Sequence, residues 1–175
     1  MNLSGIVVWL ARILAILGGL ALVAITVLTV VSITGRALIS YGLRPIPGDF
    51  ELVEALTGFA VFAFLPWCQL NRGHATVDVF TSFLSPRANR VIDVISEVLM
   101  TLAIVLITWR LWYGMQDKIR YNEVTFILQF PVWWGYAAAL VAAVGAVIVS
   151  FYVLFVRVQE LLSGRTIIQG QGAVH

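Results

Sequence analysis

The apolar positions of this chain fall into four long runs, and most charged positions gather in the gaps between them. A bilayer-spanning helix needs about 20 mostly apolar residues. The first run predicts a helix from about Ile6 to Leu38, built on the uncharged 23-residue stretch 13–35. It exits through "RALISYGLRPIPGDF", where Pro45, Pro47 and Gly48 break helical geometry. Asp49 is positioned to cap a second helix, about Phe50 to Leu70, and Glu51 and Glu54 enter its start, where the helix dipole favours anions. Its charge-free part, Ala55 to Asn71, has 17 residues and contains Pro66. A third helix runs from about Pro86 to Tyr113. A fourth runs from about Pro131 to Val156. Both begin at a proline, which suits the first helical position. Between helices 2 and 3, "TVDVFTSFL" places Val77, Phe80, Phe83 and Leu84 on one face with Asp78 and Ser82 off it, the pattern of a short helix lying in the membrane surface. The expected fold is therefore an all-α integral membrane protein: four transmembrane helices, plus a short interfacial helix between helices 2 and 3. Residues 1–162 form the membrane domain, and 163–175 a polar, Gly-containing tail.

Composition agrees with a bilayer environment. The chain is 61% hydrophobic and 11% charged, with a mean hydropathy of +0.96, whereas soluble domains carry about 25% charged residues. A net charge of +2, with scattered basic residues, offers no nucleic-acid surface. Cys68 stands alone, which excludes an internal disulfide, a CxxC pair and a cysteine metal cage. The apolar N-terminal run is too long for the core of a signal peptide, lacks a preceding Lys or Arg and has no clean A-x-A site, so it is expected to be retained. With both termini inside, inner segments carry six Lys/Arg and outer ones five, which favours that orientation. Trp109, Trp112 and Tyr113 end helix 3 and Trp133, Trp134 and Tyr136 open helix 4, so these aromatics form a belt at one interface.

Two helices show seams of small residues. In helix 4, Ala138, Ala142, Ala146 and Ser150 recur every four residues; helix 1 has Ala11, Ala15, Gly18, Thr26 and Thr29. Small residues at such spacing let backbones approach in lipid. Helix 3 instead carries Asp93, Glu97, Thr101 and Thr108 on one stripe. Carboxylates on a membrane helix need a partner or headgroup depth. That stripe therefore reads either as two acids at the interface or as a polar contact to a partner subunit. A proton relay is the weaker reading, because no acid continues it deeper.

The segment "PWCQLNRGHATVDVF", residues 66–80, holds Arg72, His74 and Asp78 within seven positions. One His and one Asp four apart offer at most two metal ligands, and the only other histidine is His175. No nucleophile accompanies them. The segment reads as the place where helix 2 surfaces, with Gly73 permitting the turn.

"RGHATVDV", after a hydrophobic helix that opens on acidic residues, followed by "EVTFILQFPVWWGYAAAL", resembles the DctQ-type small membrane subunit of tripartite ATP-independent periplasmic (TRAP) transporters. The shared positions are Glu54, Arg72, Gly73, His74, Val77 and Asp78, then Glu123, Thr125, Pro131, Trp133, Trp134 and Tyr136. The resemblance covers roughly residues 10–160. It implies a multi-pass protein of the bacterial inner membrane with both termini cytoplasmic. The implied partners are a large permease subunit, a periplasmic substrate-binding protein and membrane lipids. The implied role is a non-enzymatic scaffold in sodium-driven uptake of an organic acid. No cofactor is expected in this chain, and the sodium sites are expected in the large subunit. The partner-subunit interface is expected at Glu54, Arg72, His74, Asp78, Asp93 and Glu97. Binding-protein docking is expected at Arg44, Asp49, Lys118 and Arg120, in the two outer connections. Competing classes fit less well. A haem or quinone anchor needs axial ligands inside the bundle, and no histidine lies within a predicted helix. A stand-alone small exporter would want a carboxylate deep in helix 1, which has none between Arg12 and Arg36.

Overall fold

A computed structural model describes residues 3–71 and 86–163. Four long helices pass up and down: α1 (Leu3–Ala37), α2 (Asp49–Leu70), α3 (Pro86–Arg120) and α4 (Trp133–Ser163). All four are long and apolar enough to cross a membrane. A single 3-10 turn, Ile39–Tyr41, follows α1. The interfacial helix expected after α2 and the tail after Ser163 lie outside the described residues. One end of the bundle carries the two connections 38–48 and 121–132, and is called the hairpin end here. The other, where α1 starts and α4 stops, is the terminal end.

Two boundaries differ from the sequence reading. Helix α3 does not stop near Tyr113 but continues two turns to Arg120. Lys118 and Arg120 therefore belong to its last turn rather than to a free connection. The polar run "GMQDKIR" remains helical because a helix leaving the hydrocarbon needs no apolar face to go on, and basic residues favour its C-terminal dipole. Helix α4 similarly extends past Val156 to Ser163. The cap of α2 is also different. Gly48 takes the N-cap position with φ +73°, and Asp49 is the first helical residue.

Helix α4 is the centre of the bundle. Of its most apolar 18-residue window 56% is buried, against 17% for α1 and for α3 and 22% for α2. It packs on both α2 and α3, while α1 packs mainly on α2. The small residues explain how. Ala139, Ala142, Ala143, Ala146, Val149, Ser150 and Val153 are buried, so the four-residue seam holds from Ala142 onward, whereas Ala138 is exposed. Val7 and Ala11 of α1 join Leu70, Val149 and Val153 in one cluster; Leu14, Ala63 and Ala142 form a second. The buried line of α1 is thus Val7, Ala11, Leu14, Gly18, Ala21, Ser32 and Gly35, and Thr26 lies off it, exposed, bonding its own Leu22 carbonyl. Large apolar side chains such as Leu20, Val23, Leu99 and Leu102 are exposed instead. This is the arrangement expected where lipid solvates the outside and close backbone approach, rather than hydrophobic segregation, holds helices together.

Candidate functional site

Polar side chains gather at the two ends of the bundle. At the hairpin end, Glu51 is buried in the first turn of α2. Its carboxylate accepts hydrogen bonds from the backbone N–H groups of Ile127 (2.6 Å) and Leu128 (2.9 Å). The Thr125 hydroxyl and the Phe126 amide also turn toward it. The connection it holds is a tight loop. Thr125 N donates to Phe130 O (2.9 Å) and Val132 N to Glu123 O (3.0 Å). Phe130 N donates to the Thr125 hydroxyl at 3.2 Å, and Gln129 turns the chain with φ +56°. Gly48 faces the side chain of Leu128 so closely that a Cβ there would lie 2.5 Å from Leu128 Cγ. Position 48 is therefore restricted twice, by contact and by its positive φ. Asp49 ties α2 to α1: one carboxylate oxygen accepts from the Ser32 hydroxyl, and the other from the Phe50 amide at 2.8 Å.

Beneath this loop, a cleft of about 530 Å³ opens between α2, α3 and α4. Glu54, Phe62, Lys118, Glu123, Tyr136 and Ala139 contribute to its lining. Lys118 Nζ meets Glu123 at 2.6 Å, and Glu54 is exposed.

At the terminal end a second network joins three helices. Gln69 of α2 is fully buried. Its amide nitrogen donates to Glu97 of α3 at 2.5 Å, and its oxygen accepts from the Ser150 hydroxyl of α4 at 2.7 Å. One turn further along α3, the Thr101 hydroxyl is buried without a hydrogen-bond partner. Nearer the end of the bundle, Arg157 lies 3.8 Å from Asp93 and 3.5 Å from Glu160. The Arg12 guanidinium sits over the Trp67 ring at 5.9 Å.

The expected site residues are thus divided. Glu97 points into the bundle at Gln69, and Asp93 meets Arg157, so the carboxylate stripe of α3 has polar partners within the chain. Arg44 and Arg120 are exposed at the hairpin end, Lys118 is half-buried, and Asp49 is engaged by Ser32. Trp109, Trp112, Trp133 and Trp134 are exposed, and Tyr136 is half-buried against Gly114. Arg72, His74 and Asp78 lie outside the described residues. Glu51 and Gln69 were missed as organising residues. The signal for Glu51 was its place in a first helical turn, but its partners are backbone amides 76 and 77 positions away. For Gln69 the only signal was a lone amide within an apolar run. No group of three His, Cys, Asp or Glu side chains able to hold a metal occurs among the described residues.

Compared with known families, residues 25–160 match the model for the DctQ component of tripartite ATP-independent periplasmic transporters. The chain belongs to the DctQ family. It is accordingly a multi-pass membrane protein and the small membrane component of a TRAP transporter, a class that works with a large permease and a substrate-binding protein. Neither a curated protein nor a solved structure matches the chain. The match takes in the Ser32–Asp49 and Glu51 contacts at the hairpin end and the Gln69–Glu97–Ser150 and Arg157–Glu160 contacts at the terminal end of this DctQ-type subunit, while Arg12 lies outside it.

Proposed function

We propose that this DctQ-type chain is the fixed scaffold subunit of a sodium-driven, binding-protein-dependent importer of an organic acid. It would sit in the bacterial inner membrane with both termini cytoplasmic and pair with the large permease subunit. It would catalyse no reaction and hold no cofactor, sodium being bound by the large subunit. The observation that carries this reading is the distribution of charge on a chain of this family. No charged side chain lies between Arg12 and Arg36 of α1, Glu54 and Leu70 of α2, Glu97 and Arg110 of α3, or Trp133 and Arg157 of α4. Helices uncharged along these stretches offer no ionisable group for an ion or carboxylate site at mid-membrane. Glu54, Arg72, His74 and Asp78 would face the large subunit, with Asp93 and Glu97 fixing the helices behind that contact. Arg44 and Arg120, and less directly Asp49 and Lys118, would meet the binding protein, where charged rims steer more than they hold. The aromatic belt of Trp109, Trp112, Trp133, Trp134 and Tyr136 would set the depth of the bundle. Reconstitution tests the proposal. Liposomes containing this chain alone should show no sodium-dependent uptake; adding the large permease and the binding protein should restore it. Uptake by the chain alone, or full uptake without it, would overturn the scaffold role.

A further inference from the structure

The connection between α3 and α4 has a composition that an aqueous loop does not need. Residues 124–131 read VTFILQFP, with Thr125 and Gln129 the only polar side chains and no charge. Phe126 is 88% exposed, and Val124, Ile127 and Leu128 are exposed beside it. The charges flank the segment instead, as Lys118, Arg120 and Glu123.

Its depth follows from Glu51. Helix α2 has 22 residues, or roughly 33 Å at 1.5 Å per residue. The hydrocarbon of a bilayer is about 30 Å thick. A helix of about that length, opening on Asp49 and Glu51, suits an acidic first turn at the edge of the hydrocarbon. The Glu51 carboxylate binds the amides of Ile127 and Leu128 directly, which holds the apolar loop at the same height.

Most of the loop's amides are also provided for within the protein. Non-helical backbone at membrane depth is tolerated only where its polar groups are satisfied within the protein. Here the amides of Ile127 and Leu128 go to Glu51, that of Thr125 to Phe130 O, that of Phe130 to the Thr125 hydroxyl and that of Val132 to Glu123 O. Pro131 has no N–H to satisfy. In water none of these would require an internal partner.

We infer that residues 124–130 form a membrane-interface anchor, with Phe126 and Ile127 dipping into the headgroup–acyl boundary of the leaflet at the hairpin end. The stacked Phe130–Trp134 pair, with centroids 6.3 Å apart, continues the same layer into α4.

The test uses the full chain in lipid nanodiscs of phosphatidylethanolamine and phosphatidylglycerol, with any membrane subunit that copurifies retained. On a Cys68→Ser background, nitroxide labels are placed one at a time at Phe126→Cys and Ile127→Cys. Leu106→Cys, on the exposed face of mid-α3, serves as the lipid reference, and Asn122→Cys as the aqueous reference. Power saturation compares collision with oxygen and with a water-soluble nickel chelate. The oxygen-to-nickel ratio at 126 and 127 should be several-fold above that at 122 and approach that at 106. A ratio at both positions equal to that at 122 would make this an aqueous loop and overturn the inference. Protection from both reagents would mean that protein, not lipid, covers the tip, and would overturn it equally.

Discussion

At the hairpin end, two carboxylates, two close glycine contacts and a short loop ladder hold the turns; at the terminal end, three side chains on three helices hold one another. The first arrangement is written in main-chain geometry. Glu51 grips mainly amides, Gly48 sits at positive φ, and Gly35 lies where a Cβ would come within 2.3 Å of the Arg44 carbonyl oxygen. The second is written in side-chain chemistry, through Gln69, Glu97 and Ser150. The difference teaches that the two ends should fail under different substitutions. Adding a methyl group should injure the hairpin end, and removing an amide should injure the terminal end.

The largest effect is expected from Gly35→Ala. The obstructing atom belongs to backbone, so α1 or the 44–45 segment must move, at a cost of about 3 kcal/mol. Thermal unfolding in detergent would read it, with Gly5→Ala and Gly19→Ala as controls, since nothing lies near a Cβ at either site. Equal loss in the controls would break the comparison. Next comes Gln69→Leu, which strips Glu97 and Ser150 of a buried partner and should cost roughly 2 kcal/mol. Adding Glu97→Leu to it should recover part of that loss, because apolar replacement of both partners removes the desolvation penalty. A double variant less stable than the sum of the singles would contradict the network.

Smaller and opposite in sign is Thr101→Val. It exchanges an unpartnered buried hydroxyl for a methyl of similar shape, so the melting temperature should rise, by about 1 kcal/mol in stability. A fall would mean that this hydroxyl has a partner in the assembled protein. The smallest effect belongs to Lys118→Met. The Lys118–Glu123 pair is partly exposed, and such ion pairs contribute little. Unfolding should be unchanged within error, and a clear loss would move this pair among the bonds that hold the hairpin end.

The four helices could be read from the sequence because the need to span apolar lipid writes long uninterrupted runs. The seam of α4 was visible from Ala142, Ala146 and Ser150, since four-residue spacing marks one helical face. The end of α3 was not, because "GMQDKIR" looks like a connection once the apolar run stops, although backbone hydrogen bonding continues the helix regardless. The bonds that organise the two ends were also invisible. Gln69–Glu97 spans 28 positions and Glu51–Leu128 spans 77, and local pattern carries no information on pairings that distant. The seam of α1 was half right for a related reason: Thr26 is small enough to pack but bonds its own backbone on the exposed side.

The central place of α4 has a consequence for how the chain is made. It is the last of the four helices to leave the ribosome, yet it is the one against which α2 and α3 both pack. Until it enters the bilayer, α1 and α2 can pair as a hairpin while α3 waits, tied to α2 by the Gln69–Glu97 bond. Assembly is therefore committed late. A nascent chain halted before Trp133 should yield an α3 that is readily proteolysed or extracted, whereas one released after Ser163 should not. A quality-control protease that samples unpaired membrane helices would have its window on this protein in the interval between those two points.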